Sequence, residues 1–268
     1  VPEWKSTILF STRGCTRKCG FCAVPKLEGA AKVAHSSVRD QIHPSHKKVV
    51  FFDNNILGLP TAADVLNELA DLGVEADFNQ GMDVRYITNE IAAAIARPRM
   101  PFVRRAWDYI GIRRSVERGI GLLKEHGIRG KQMVFYVLYN YLDDPEDFFT
   151  RVRQLLRWGA VAYPMQYEPL CTLEKNRYVA PRWTVEQLKL VQRARRVIGY
   201  AGAFPPYKGL VDKFERAEKF DEAFSLYPPR HSEPIPEPLV EMGLEHEHQD
   251  AMKKYYFPGW RREKDWRQ

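Results

Sequence analysis

The chain has 268 residues, 44% of them hydrophobic, which is enough for one large domain or for one domain with an appendage. Its formal charge of +7 permits an anionic partner, although proteins that bind only small anions often carry a similar charge. No uninterrupted apolar stretch approaches the ~20 residues that span a bilayer, and the first residues lack the apolar core of a signal peptide. Composition therefore predicts a soluble globular protein with no membrane partner.

Apolar, strand-like segments alternate with helical patterns along the chain, which is typical of βα units and a parallel sheet. The predicted strands span 7–11, 48–53, 74–79, 102–107, 132–139 and 160–166. The predicted helices span 37–42, 62–72, 89–96, 112–126, 145–158 and 185–198. Thr61, Thr88 and Thr184 each precede a helical pattern, and Thr184 with Gln187 matches a capping box. The pattern predicts six consecutive βα units in an α/β fold.

Three of the four cysteines lie within eight residues, just beyond the first predicted strand. Cys15, Cys19 and Cys22 form a C-x-x-x-C-x-x-C pattern, and Phe21 immediately precedes the last cysteine. Three thiolates on one loop can bind three irons of a 4Fe–4S cluster and leave the fourth iron open, whereas a closed structural site normally needs four protein ligands. Reacting groups of parallel βα barrels collect after the strands, which is where this loop lies. The spacing therefore predicts an open metal position.

This cysteine pattern resembles that of the radical S-adenosylmethionine (radical SAM) superfamily. The resemblance implies a partial (β/α)6 TIM-like barrel over residues 1–200, with residues 201–268 as a C-terminal cap or tail. It implies that Cys15, Cys19 and Cys22 bind a 4Fe–4S cluster and that Phe21 lies beside the adenine of SAM. The implied activity is reductive cleavage of SAM and abstraction of hydrogen from a substrate that the sequence does not identify. An electron donor such as flavodoxin or ferredoxin, and a cytoplasmic location, are implied with it.

The segment after the second predicted strand departs from the family pattern. Family members carry a Gly-Gly-Glu type segment there that binds the SAM amino group, and this chain lacks it. Asp53 and Asn54 are the polar residues that could take its place. The competing interpretation is an ordinary turn, because Asp and Asn are favoured turn residues.

Two arginines are further candidates for contacts with SAM. Arg85 follows the third predicted strand and could bind a carboxylate in a bidentate arrangement. Arg104 lies on the fourth predicted strand, where family members often use a basic or polar residue for the carboxylate or ribose of SAM. Either arginine could instead form a structural ion pair with Asp83 or Asp108.

A zinc-containing nucleic-acid-binding module without turnover is the alternative from a different functional class. Its fourth ligand would come from His35, His43, His46 or Cys171, but the chain offers no second cysteine pair of the kind that zinc sites usually bring. Cys171 alone cannot supply an auxiliary cluster, so a single-cluster enzyme is the better interpretation.

The composition changes after Tyr200, where prolines interrupt any regular pattern. Residues 253–268 interleave basic and aromatic side chains, a composition suited to phosphate contact and base stacking. The competing interpretation is that these aromatics pack against the barrel. Radical SAM modification of RNA or DNA is therefore a further alternative.

Overall fold

The computed structural model describes residues 4–226 of the chain. Its six main strands run parallel in two sheets of three strands each, in the orders β1-β2-β3 and β4-β5-β6. The strands are β1 (Ser6–Leu9), β2 (Lys48–Phe51), β3 (Glu75–Phe78), β4 (Val103–Ala106), β5 (Met133–Tyr139) and β6 (Val161–Gln166). All six predicted strands are confirmed; β1 begins one residue earlier and ends two residues earlier than predicted, and each of the others is one or two residues shorter.

The two sheets meet between β3 and β4 without a continuous ladder. Single backbone hydrogen bonds join them, from Ala76 N to Arg99 O at 2.9 Å and from Met82 N to Arg104 O at 3.0 Å. No ladder joins β6 to β1 among the described residues, so the barrel does not close. The prediction of an α/β fold with a partial barrel is confirmed.

A short helix, Val24–Leu27, follows the clustered cysteines. Five longer helices follow the strands in the predicted order, and two more come after residue 200. They are α1 (Ala62–Leu72), α2 (Asn89–Ala96), α3 (Arg113–Glu125), α4 (Pro145–Arg157), α5 (Val185–Ile198), α6 (Lys208–Arg216) and α7 (Phe220–Phe224). The Thr88 side chain caps α2, and Thr184 with Gln187 forms the predicted capping box of α5. Thr61 makes no side-chain cap of α1.

The first predicted helix, 37–42, is wrong, since the segment contains only a 3-10 turn at Arg39–Gln41. The carboxylate of Glu68 on α1 accepts hydrogen bonds from Ser37 Oγ and Val38 N, both at 2.7 Å. Val38 is fully buried. The segment is thus held in place by the buried side chain of Val38 and by the carboxylate of Glu68. Neither contact depends on apolar residues at helical spacing.

Strand β5 shows how the sheet separates the core from the interior of the barrel. Met133, Phe135, Val137 and Tyr139 are fully buried in the hydrophobic core. The alternate residues Val134, Tyr136 and Leu138 line a cavity on the opposite face of the sheet.

The chain beyond α5 continues into the same core. Phe204 exchanges two backbone hydrogen bonds with Ala162 of β6, at 2.7 and 3.0 Å. Phe214 of α6 lies 6.0 Å from Phe149 of α4, between ring centroids, and Phe224 of α7 stacks 5.3 Å from Phe148. This is the beginning of the proposed cap of residues 201–268; residues 227–268, including the basic aromatic tail, lie outside the described part.

Between residues 4 and 226, no helix combines the length and apolar character needed to cross a membrane.

Candidate functional site

A cavity of about 840 Å³ lies between the cysteine loop and the inner faces of the sheets. All three clustered cysteines line it, together with Phe21. Residues that follow β2, β3 and β4 complete the cysteine end, and the inward side chains of β4, β5 and β6 line the remainder.

Strand register divides the wall formed by β4, β5 and β6 into layers about 7 Å apart, because inward side chains recur every second residue. The lower layer contains Arg104, Val134 and Val161. The tyrosine layer contains Ala106, Tyr136 and Tyr163. The upper layer contains Leu138 and Met165, with Asp108 two residues beyond Ala106.

The cysteine loop is closed at its base, where its two ends meet. Gly14 has φ +73°, and a Cβ atom there would lie 2.3 Å from the Ala30 carbonyl oxygen. Cys15 N donates to Gly29 O at 3.3 Å, and just outside the loop the short strands Thr12–Arg13 and Lys32–Val33 pair antiparallel. Glycine is needed at position 14 because both the φ angle and the close approach exclude a side chain.

Glu28 fastens this base to the barrel. Its carboxylate accepts hydrogen bonds from Arg13 Nη2 at 2.6 Å, Gly14 N at 2.9 Å and Asn54 Nδ2 at 2.9 Å. Asn54 follows β2 and lines the cavity. The amide nitrogen of Asn54 donates to Glu28, and the side-chain oxygen of Asn54 is available to accept a hydrogen bond from a ligand.

Asp53 is buried and does not belong to the cavity wall. Its carboxylate accepts hydrogen bonds from four donors: the backbone N and Oγ of Ser11, and the backbone N and Oγ1 of Thr12. These bonds, of 2.6 to 3.0 Å, tie the end of β1 to the end of β2. In the structure this carboxylate holds the entry to the cysteine loop, and its contact with SAM stays a prediction.

Asp83 ties the middle of the cysteine loop to the segment after β3. Arg85 binds its carboxylate with Nε and Nη2, each at 2.7 Å, and Arg17 adds a bond from Nε at 3.1 Å. Burial opposes ionisation of Asp83, but the hydrogen bonds and charge of Arg85 and the bond from Arg17 outweigh it and lower its pKa. Arg85 thus forms the predicted ion pair with Asp83 and still lines the cavity.

Arg104 belongs to the lower layer, two layers below the residues that face the cysteines. It forms an ion pair with Asp77 of β3, across the junction between the two sheets. This pairing differs from the partners expected from the sequence and places the guanidinium at the far end of the cavity from the cysteine loop. Arg104 lines the cavity, and its contact with the carboxylate or ribose of SAM stays a prediction.

Asp108 is the residue after β4 that does lie beside the cysteines. Its charge contributes, after burial, to raising the pKa of Cys19, and burial raises the pKa of Asp108 itself to about 6. Behind it, fully buried Arg151 donates from Nη1 to the carbonyl oxygens of Trp107 and Leu138, both at 2.8 Å. From the sequence, Asp108 is predicted only as a possible ion-pair partner of an arginine.

The three cysteines have the properties that a cluster requires of its ligands. All are free, partly exposed thiols on one tethered loop facing the cavity. Within residues 4–226, no three Cys, His, Asp or Glu side chains converge on a point that could hold one metal ion. A cluster does not need such convergence, because each thiolate binds a different iron, whereas tetrahedral zinc does.

None of the four candidates for the fourth zinc ligand lines the cavity with the cysteines. His35, His43, His46 and Cys171 are absent from the residues that line the cavity. His46 instead interacts through Nδ1 with Thr7 Oγ1 at 3.0 Å, near the start of β1.

Phe21 does line the cavity, and its ring meets that of Tyr141 edge-on at 5.8 Å between centroids.

Comparison with known proteins identifies the fold. No protein-family model matches the chain, and no curated protein sequence is similar to it. Coproporphyrinogen III oxidase from Escherichia coli, a radical SAM enzyme, superposes with a TM-score of 0.52 at 12% identity, over 79% of this chain and 58% of that protein. The radical SAM methyltransferase TsrM from Kitasatospora setae, with tryptophan and a SAM analogue bound, gives 0.50 at 14% identity, over 60% and 35%. The chain thus spans about a third to somewhat over half of the length of these proteins, and it has the fold of radical SAM enzymes.

Proposed function

We propose that the protein is a radical SAM enzyme that binds one 4Fe–4S cluster through Cys15, Cys19 and Cys22. The observation that carries the proposal is the loop itself: three free thiols face a large cavity at the mouth of the six-stranded fold. When bound, the cluster and SAM would supply the reductive cleavage and the hydrogen abstraction. The chain's residues would bind, orient and enclose them.

The proposal gives three cavity residues a role in SAM binding. The side-chain oxygen of Asn54 accepts a hydrogen bond from the amino group of SAM, while the amide nitrogen donates to the carboxylate of Glu28. Arg85 keeps part of its guanidinium toward the cavity and attracts the SAM carboxylate, while Asp83 fixes its position. Phe21, with Tyr141 packed edge-on against it, provides an aromatic surface for the adenine.

Hydrogen abstraction requires the substrate to lie in the same cavity as SAM. The tyrosine and lower layers lie beyond the residues assigned to SAM, and their walls are mainly apolar and aromatic. A pocket of this kind buries most of a small ligand and excludes water.

The experiment is anaerobic reconstitution with iron and sulfide, followed by reduction and addition of SAM. We expect the electron paramagnetic resonance spectrum of the reduced cluster to change when SAM binds, and 5'-deoxyadenosine to form. A spectrum that SAM leaves unchanged, with no 5'-deoxyadenosine, would contradict the proposal.

Action on RNA or DNA remains a prediction from the tail, residues 253–268, which lies outside the described residues. The electron donor and the cytoplasmic location also remain predictions.

A further inference from the structure

The lower half of the cavity offers a binding site that the proposed cofactor contacts do not use. Asn54, Arg85 and the cysteine loop all lie at the upper end, and Asp108 lies there too, so a ligand of the lower half would reach Asp108 at the boundary with the cofactor contacts. The tyrosine layer is about 7 Å below the upper layer, and the lower layer is about 13 Å below it. In a cavity of about 840 Å³, this space can hold a ligand of its own.

Two tyrosines fix the shape of this lower space. The Tyr136 hydroxyl donates to Asn79 O at 2.9 Å, which anchors the ring across the junction of the two sheets. The Tyr163 ring meets it edge-on, at 5.7 Å between centroids and an interplanar angle of 88°. Because Ala106 is the small third member of the layer, the two rings dominate the wall. A wall of orthogonal rings offers a flat group both stacked and edge-on contacts.

Asp108, one layer higher, supplies a hydrogen-bond acceptor that has no partner in the described part of the chain. The other acids in and beside the cavity are paired, Asp83 with Arg85 and Asp77 with Arg104. Asp108 makes no hydrogen bond or ion pair with any residue between 4 and 226, although Arg85 and Arg151 lie near enough to influence its charge. A recessed carboxylate without a partner is costly, and a ligand that donates a hydrogen bond to it would offset that cost.

We propose that the substrate carries a flat ring and a protonated amine. The ring packs against Tyr136 and Tyr163, and the ammonium group donates to Asp108. This proposal rests on the proposed function, since it names the substrate class of the same site.

The test uses two probes with the same ring and opposite charges, phenethylamine and phenylacetate. Each is titrated into the full-length reconstituted protein by calorimetry. We expect phenethylamine to bind at least about tenfold more tightly, because one charge-assisted hydrogen bond separates the two probes. Asp108→Asn, which keeps the shape of the side chain, should abolish this preference. Tyr163→Leu should weaken binding of phenethylamine. The control Asp40→Asn, which changes an exposed acid that does not line the cavity, should leave both affinities unchanged.

Equal binding of the two probes, or binding of neither, would overturn the proposal. So would Asp108→Asn if it weakened SAM binding while the preference for the amine persisted, because Asp108 would then contact the cofactor. SAM cleavage is measured on the same samples, which separates the two claims. Intact cleavage without amine preference removes only the substrate assignment. Amine preference without SAM cleavage removes the proposed function and leaves an amine-binding cavity.

Discussion

Glu28 and Asn54 form a hydrogen bond of 2.9 Å between Oε2 and Nδ2, and this bond connects the base of the cysteine loop to the end of β2. The same carboxylate oxygen accepts the backbone N–H of Gly14. One side chain therefore sets both the position of the cysteines and the orientation of the Asn54 amide.

Glu28→Gln should weaken cluster assembly without unfolding the barrel. The amide loses the negative charge that binds Arg13, and it has one oxygen for donors that occupy two oxygens in the wild type, Arg13 on Oε1 and Gly14 with Asn54 on Oε2. Loss of a charge-assisted hydrogen bond costs about 1.5–3 kcal/mol. We expect a lower yield of iron and an altered spectrum of the reduced cluster, measured against Glu125→Gln, which changes an exposed glutamate on α3. Identical spectra in the two variants would show that Glu28 does not position the loop.

Asn54→Ala and Asp53→Ala should have separable effects. Asn54→Ala removes the proposed acceptor for SAM, so we expect SAM affinity to fall about ten- to a hundredfold while the cluster still assembles. Asp53→Ala leaves four hydrogen-bond donors of Ser11 and Thr12 without their acceptor, so we expect it to lower the urea concentration at the midpoint of unfolding. SAM titrations and urea unfolding on both variants check this. Weakened SAM binding in Asp53→Ala, with normal stability, would identify Asp53 as a cofactor contact.

Asp108→Asn should stabilise the fold at pH 7. Burial raises the pKa of this carboxyl to about 6 from an ordinary value of 3.8, so ionisation is penalised in the folded state. The penalty is present in full above pH 6 and vanishes below pH 4, where the group is protonated whether folded or unfolded. We expect a gain of about 1–3 kcal/mol at pH 7 that disappears near pH 4 in urea unfolding. A variant less stable at pH 7 would indicate that the carboxylate has a stabilising partner.

Asp83→Asn should have the opposite dependence on pH. The pKa of Asp83 is lowered in the folded protein, chiefly because the bonds and charge of Arg85 outweigh burial. Its ionised form therefore stabilises the fold above the unfolded pKa, and this contribution is lost as pH falls through the lower, folded pKa. We expect Asp83→Asn to destabilise the protein at pH 7 and to approach the wild type in acid. An equal loss at both pH values would mean that the charge of Asp83 is not what matters.

The strands and most helices could be predicted because their signals are local. Alternating burial along β5 and the capping box at Thr184 depend on residues within a few positions of each other. The prediction of a helix over 37–42 failed because Glu68, some thirty residues away in the sequence, determines the conformation of this segment.

The cysteines could be predicted as a site for the same reason, since all three lie on one loop. The surrounding residues could not. Arg104 and Asp108 lie on the same strand and its extension, and only the register shows that Asp108 reaches the cysteines. Glu28 carries no sequence signal, because its partners come from three separate positions.

The most direct test of the central claim compares four single variants, Cys15→Ser, Cys19→Ser, Cys22→Ser and Cys171→Ser. Each is purified and reconstituted without oxygen, and iron, sulfide and 5'-deoxyadenosine are measured. The wild type and Cys171→Ser, whose exposed thiol lies away from the cavity, should each hold about four iron and four sulfide and cleave SAM. The other three variants should lose SAM cleavage and most of the iron. Stoichiometric zinc without iron uptake in the wild type, or SAM cleavage retained in all three loop variants, would contradict the account.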